Sequence, residues 1–159
     1  MAWARNGTST LGSANATCEI TGLTSKKFNI ILNHKFYVGS TWDDTLTFND
    51  DTGSNYAMRY SFDGGADGTS TSRANILTGY NAGVANDEFV IGYFSDITGK
   101  ETLSILFAVN RNTAGSSTAP VRTEKVAKWT SAGVTSIETD VTTGDTFDTN
   151  TNLTAIGTD

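Results

Sequence analysis

The stretch FNDDTGSNYAMRYSF, Phe48 to Phe62, divides into two halves of different character. The second half alternates, with Tyr56, Met58, Tyr60 and Phe62 on one side and Ala57, Arg59 and Ser61 on the other. A period of two sets every second side chain on one face of a β-strand. The first half packs Asn49, Asp50, Asp51, Gly53 and Asn55 into seven positions. That run fits a calcium loop, a phosphate-handling loop or a turn between strands. A phosphate loop needs a Lys and a following helix, and both are missing. A calcium site wants six to eight oxygens, and the spacing lacks the bidentate Glu of the helix-flanked loop. Asp and Asn also bond their own backbone in turns, and Gly supplies unusual dihedrals. The favoured reading is a hairpin turn. Phe48 ends one strand, Asn49, Asp50, Gly53 and Asn55 serve backbone geometry, and Tyr56 packs the corner.

The same alternation recurs along the chain. In KKFNIILNHKFYV, Phe28, Ile30 and Leu32 face one way, and Asn29, Ile31 and Asn33 the other. Leu103, Ile105, Phe107 and Val109 form a second clean pattern. EFVIGYFSDI, from Glu88, is apolar on both faces, which predicts a central, covered strand. VRTEKVAKWT sets Arg122, Glu124 and Lys128 against Val121, Thr123, Ala127 and Trp129. About nine or ten strands are expected, and no segment sustains a helical period with caps. Two polar stretches, Asp63 to Asn75 and Asn110 to Pro120, read as loops. Thr makes up about 27 of the 159 residues and suits pleated, half-buried surfaces. The fold class is therefore all-β: an antiparallel β-sandwich, jelly-roll-like, over 14–159. Residues 1–13 carry little apolar surface beyond Trp3 and predict a short extended arm.

Charge and cysteine content narrow the function classes. The net charge is −6 with no basic run, which argues against a nucleic-acid partner. Cys18 stands alone, so no intrachain disulfide forms. No apolar run reaches ~18 residues, so no helical membrane span is expected. The N-terminus lacks a basic-then-apolar signal pattern, which predicts synthesis in a cytoplasm.

No enzyme signature emerges, and no cofactor or metal is expected. His34 is the only histidine, and a hydrogen-bonded or solvent-facing strand position is its simpler reading. Carboxylates are plentiful, but no pair among Asp43, Asp44, Glu88, Glu124 and the rest stands out. Trp3, Trp42 and Trp129, with Tyr37 and Tyr80, could stack sugars, although core packing is the default for aromatics. Trp3, Arg5, Arg73 and Arg111 stand out as large or charged residues in small-residue stretches, and are candidates for an interface.

Three segments carry a resemblance. WARNGTSTLGSANATCEITGL (Trp3–Leu23) resembles a W-x-R, Thr-Leu, short-strand pattern. FNDDTGSNYAMRYS resembles an F-N-x-D-x-G-x-N-Y-x-x-R core. KWTSAGVTSIET followed by GDTFDTNTNLTAIG (Lys128–Gly157) resembles a strand, a Gly-x-Phe turn and a closing strand. In this order they resemble a family of jelly-roll or β-sandwich virion proteins of tailed bacteriophages. The resemblance implies a structural module: a capsid cement or decoration protein, a head fibre or a tail-associated piece. It also implies homotrimers, the major capsid protein as partner, the outer capsid surface as location, and no catalytic residues. The compact chain favours decoration. A fibre or tail module that binds a receptor glycan is the alternative.

Overall fold

The computed structural model describes residues 2–38, 44–79, 87–111, 115–141 and 144–159. The sequence positions Trp42, Asp43 and Tyr80 lie outside the described residues. Among those described there is no helix. The strands are β1 (Ala4–Thr10), β2 (Thr17–Ile20), β3 (Phe28–Lys35), β4 (Tyr37–Val38) and β5 (Asp44–Phe48). They continue as β6 (Tyr56–Phe62), β7 (Gly68–Arg73), β8 (Ile76–Leu77), β9 (Glu88–Ser95) and β10 (Thr102–Asn110). β11 (Val121–Trp129), β12 (Ile137–Val141), β13 (Thr146–Phe147) and β14 (Asn152–Thr158) complete the chain.

The fold is an antiparallel β-sandwich. An eight-stranded sheet runs β1-β14-β3-β9-β10-β11-β6-β7, and a four-stranded sheet runs β2-β12-β5-β8. β13 and β4 form a small ribbon. The chain shuttles repeatedly between the two large sheets. The core lies between them, where Phe48 of the small sheet packs against Phe94 at 5.1 Å and Trp129 at 5.6 Å of the large one. Tyr56 stacks on Trp129 at 6.3 Å and 15°. Offset ring packing of this kind adds to simple area burial.

Three expectations need adjustment. β5 pairs with β12 and β8, whereas β6 pairs with β11 and β7. The turn after Phe48 is therefore not a hairpin but an arch carrying the chain from one sheet to the other. Phe48 and Tyr56 meet the same core from opposite walls, so an alternating pattern on both sides of a turn cannot separate the two cases. Ala4–Thr10, expected within a short extended arm with too little apolar surface for a strong strand, pairs along β14 as an edge strand. Ladder hydrogen bonds and the Asn6 side chain, bonded to Thr24, hold it where apolar content does not. Gly68–Arg73, inside an expected loop, is the opposite edge strand and pairs with β6. Edge strands need little apolar surface because one side faces solvent.

β9 is central, as its two apolar faces predicted, but only one face is covered. Its inward residues Val90 and Phe94 are buried, while Phe89 and Tyr93 are exposed. β3 carries the contrast further. Asn29, Ile31, Asn33 and Lys35 point into the sandwich, and Phe28 and His34 point out. The pleat fixes which residues share a face, and the position of the second sheet decides which face is inside.

Candidate functional site

The Asp/Asn-rich arch is a structural knot. Asn49 and Asp50 adopt left-handed backbone angles (φ 55° and 53°), which short polar residues tolerate. The Asn49 side-chain oxygen accepts the Thr135 and Ser136 amides at 2.7 and 3.0 Å, and its amide donates to the Gly133 carbonyl. The Asp51 carboxylate accepts the Trp129 indole N–H at 2.6 Å, the Gly53 amide at 2.9 Å and the Asn55 side-chain amide. The Trp129 N–H chiefly holds this carboxyl below its ordinary range. A Cβ on Gly53 would meet Asn55 Nδ2 at 2.7 Å and Asp51 Oδ1 at 3.0 Å, so any larger residue there would have to displace those side chains. The Tyr56 hydroxyl accepts the Phe48 amide and lies 3.3 Å from the Phe48 carbonyl, pinning the two ends of the arch. Burial pushes that hydroxyl up to about 12. Three N–H donors already converge on the Asp51 carboxylate, which is the arrangement of a turn and opposes a cation.

A second polar constellation lies inside the sandwich, unforeseen from the sequence. The Lys35 ammonium bonds the Asp44 carboxylate, Thr78 at 2.9 Å and Glu88 at 3.2 Å. The Tyr37 hydroxyl lies 2.9 Å from Asp44 and 3.1 Å from Glu88. The Lys125 ammonium donates to the Gly79 carbonyl at 3.2 Å. These groups come from β3, β4, β5, β9, β11 and the segment after β8, so they tie both sheets together. Burial pushes Glu88 up to about 7 and Lys125 down to about 8. Burial alone would raise Asp44 and lower Lys35, but their mutual attraction outweighs it and reverses both directions. A lysine and a tyrosine beside two carboxylates could move protons. Lys35 and Asp44 are fully enclosed, however, with Glu88 1 % and Lys125 3 % exposed, and no substrate reaches them. This cluster holds the sheets together. Sequence reading passes over it because Asp44, Glu88 and Lys125 sit far apart along the chain in ordinary strand and turn contexts.

The surface feature with functional character is the outer face of the large sheet. β10 presents Leu103, Ile105, Phe107 and Val109 to solvent, each between 42 % and 56 % exposed. Phe89 and Tyr93 of β9, Phe28 of β3 and Val126 of β11 are open on the same side. One cross-strand row runs from Arg5 through Ile156, Ile30, Tyr93 and Ile105 to Val126, and ends beside Arg59. Trp3 joins this face at the rim of an open groove of about 810 Å³, which Phe28, Tyr93, Leu103 and Ile105 also line. Soluble monomers rarely leave an apolar patch larger than a few hundred Å² uncovered.

The candidate interface residues separate. Trp3 lies on the apolar face and Arg5 at the end of its central row. Arg111 is ion-paired with Asp87 at 3.0 Å, and Arg73 turns to Asn75 at the far edge. His34 points outward and packs against Phe36, with ring centroids 4.4 Å apart. Tyr37 and Trp129 are internal, as aromatic residues are by default.

No family model matches the chain, and no curated protein matches it. Among solved structures, an alginate lyase mutant in complex with an alginate tetrasaccharide aligns at 11% identity over 96% of this chain and 79% of that one, with a TM-score of 0.32. A Ralstonia solanacearum high-affinity mannose-binding lectin aligns at 13% identity over 79% of this chain and 97% of that one, with a TM-score of 0.13. Similarities at those TM-scores carry no argument about fold or activity, so function has to be read from this chain's own geometry.

Proposed function

We propose that this protein is a structural module of a tailed-phage virion: a capsid decoration protein that stabilises the shell at the junctions of major capsid subunits. Its mechanism is added interface. The observation that supports this reading is the apolar outer face of the large sheet, which belongs to a protein that works while associated. Trp3 and Arg5, at the rim of that face, are the residues assigned to the shell contact. Several copies held together would bind a repetitive shell far more tightly than one, since each later contact forms at high effective concentration. The phage assignment itself rests on the sequence resemblance.

A glycan-binding module on a fibre or tail is the second reading, favoured by Trp3, Phe28 and Tyr93 around the groove. Sugar sites pair aromatic platforms with several convergent polar groups. Tyr93, Ser95, Thr69, Thr71, Arg59 and Lys128 supply polar groups around the groove, but the apolar face runs on beyond it through Phe89, Phe107 and Val109, a breadth that suits a protein partner, so the first reading is preferred.

The deciding experiment locates the protein on purified particles by electron microscopy and scores binding of Trp3→Ala and Arg5→Ala variants to shells that lack it. Density on the shell, with binding weakened in both variants, is expected. Density confined to fibres or tail, or a hit on a glycan array, would replace decoration with receptor binding.

A further inference from the structure

We propose that the outer face of the eight-stranded sheet pairs with the same face of a second copy across a two-fold axis. This deepens the assembly role above and rests on it. Three features of the face point to a second copy.

The first is area. Eight large apolar side chains on this face, leaving out Trp3 at the rim, are each 41–56 % exposed. With roughly 150–250 Å² for an aromatic side chain and somewhat less for an aliphatic one, they leave about 700 Å² open, close to the roughly 800 Å² that one partner contributes to a standard interface. Two such faces pack about 10 Å apart with interdigitating side chains, as the two sheets of a sandwich do.

The second is symmetry. A closed trimer, implied by the family resemblance, needs a heterologous contact between two different complementary patches. Among the described residues, two other large apolar side chains are exposed, Val38 on the β4–β13 ribbon and Ile97 just after β9, too few to form a second patch. One concentrated patch is self-complementary only through an isologous, two-fold contact.

The third is charge. Each chain carries a net −6, which opposes self-association. Around this face, however, the charges are internally paired. Arg122 meets Glu124 at 3.3 Å, Lys128 meets Glu101 at 2.9 Å and Arg59 meets Asp67 at 3.3 Å. These three positive and three negative groups cancel, and Arg5 at the end of the central row adds one positive charge, so the like-charge barrier that a second copy meets there is small.

The test is the mass of the full chain in solution by sedimentation equilibrium, with Ile105→Glu, Val126→Lys and the off-face control Val38→Glu. Circular dichroism and melting of each variant show whether it is folded. The native chain and the control should have twice the 16.9 kDa mass, and the two face variants the mass of a single folded chain. A native chain that is a monomer or a trimer, or a dimer that survives both face variants, overturns the pairing. Binding of the same proteins to purified shells separates the two proposals. A monomer whose shell binding is lost in Ile105→Glu ends the pairing and keeps the decoration role. A dimer that ignores shells ends the decoration role and keeps the pairing.

Discussion

Two regions of this molecule invert the usual distribution of polarity. Between the sheets, Lys35, Asp44, Glu88 and Lys125 are sealed from water. On the outer face, Leu103, Ile105 and Phe107 are open to it. Strand β3 contributes to both, sending Lys35 inward and Phe28 outward. Burial here follows the position of neighbouring layers rather than the hydropathy of each strand. The inner cluster is tolerated because opposite charges are paired in reach of hydroxyls. The outer face is tolerated once a partner covers it.

Breaking the inner region has the largest expected effect. Lys35→Met leaves Asp44 and Glu88 enclosed with one ammonium fewer, and removing one partner of a buried ion pair typically costs about 3–5 kcal/mol. Urea unfolding should show that loss, and a change under about 1 kcal/mol would mean the cluster is hydrated rather than enclosed. Next comes the arch. Tyr56→Phe strips the Phe48 amide of its hydroxyl partner in a buried corner, at about 1–3 kcal/mol, read from the same unfolding curves.

The pH response sharpens the inner half of the comparison. Glu88 titrates at about 7 in the folded chain against an ordinary 4.5, because burial disfavours its charge. The folded chain therefore holds this proton between pH 4.5 and 7, where the unfolded chain has released it. The Glu88 contribution to stability rises as pH falls through that window. Glu88→Gln should flatten this part of the stability–pH profile, and an unchanged slope would mean that Glu88 titrates normally. The smallest stability effect belongs to the outer face. Ile105→Glu should alter folding stability by no more than about 0.5 kcal/mol while abolishing association. A large destabilisation would show that Ile105 is packed within the single chain.

Much of the fold is legible in the sequence. Alternation in Tyr56–Phe62 and Leu103–Val109, with abundant Thr, points to an all-β sandwich. The Asn49–Asn55 run points to a turn held by its own polar side chains. Period-two patterns do not carry sheet membership, so the arch passes for a hairpin. They carry no inside or outside either, so the two apolar faces of β9 suggest cover on both. Edge strands β1 and β7 escape because backbone pairing, invisible in composition, holds them. The Lys35 cluster escapes because its members meet only after five strands and a loop have folded together. Trp3 and Arg5 stand out as unusual among small residues, and both fall at the apolar face. Arg73 and Arg111, conspicuous on the same ground, do not join them.

In the associated protein a second copy covers the outer face of the large sheet. Hydroxyl-radical footprinting of the native chain, compared at high concentration and after dilution below the association range, tests it directly. Phe89, Tyr93, Leu103 and Phe107 should be protected at high concentration and react on dilution, while Val38 reacts equally in both. Equal reactivity of the four face residues at all concentrations, and on purified particles, would contradict it.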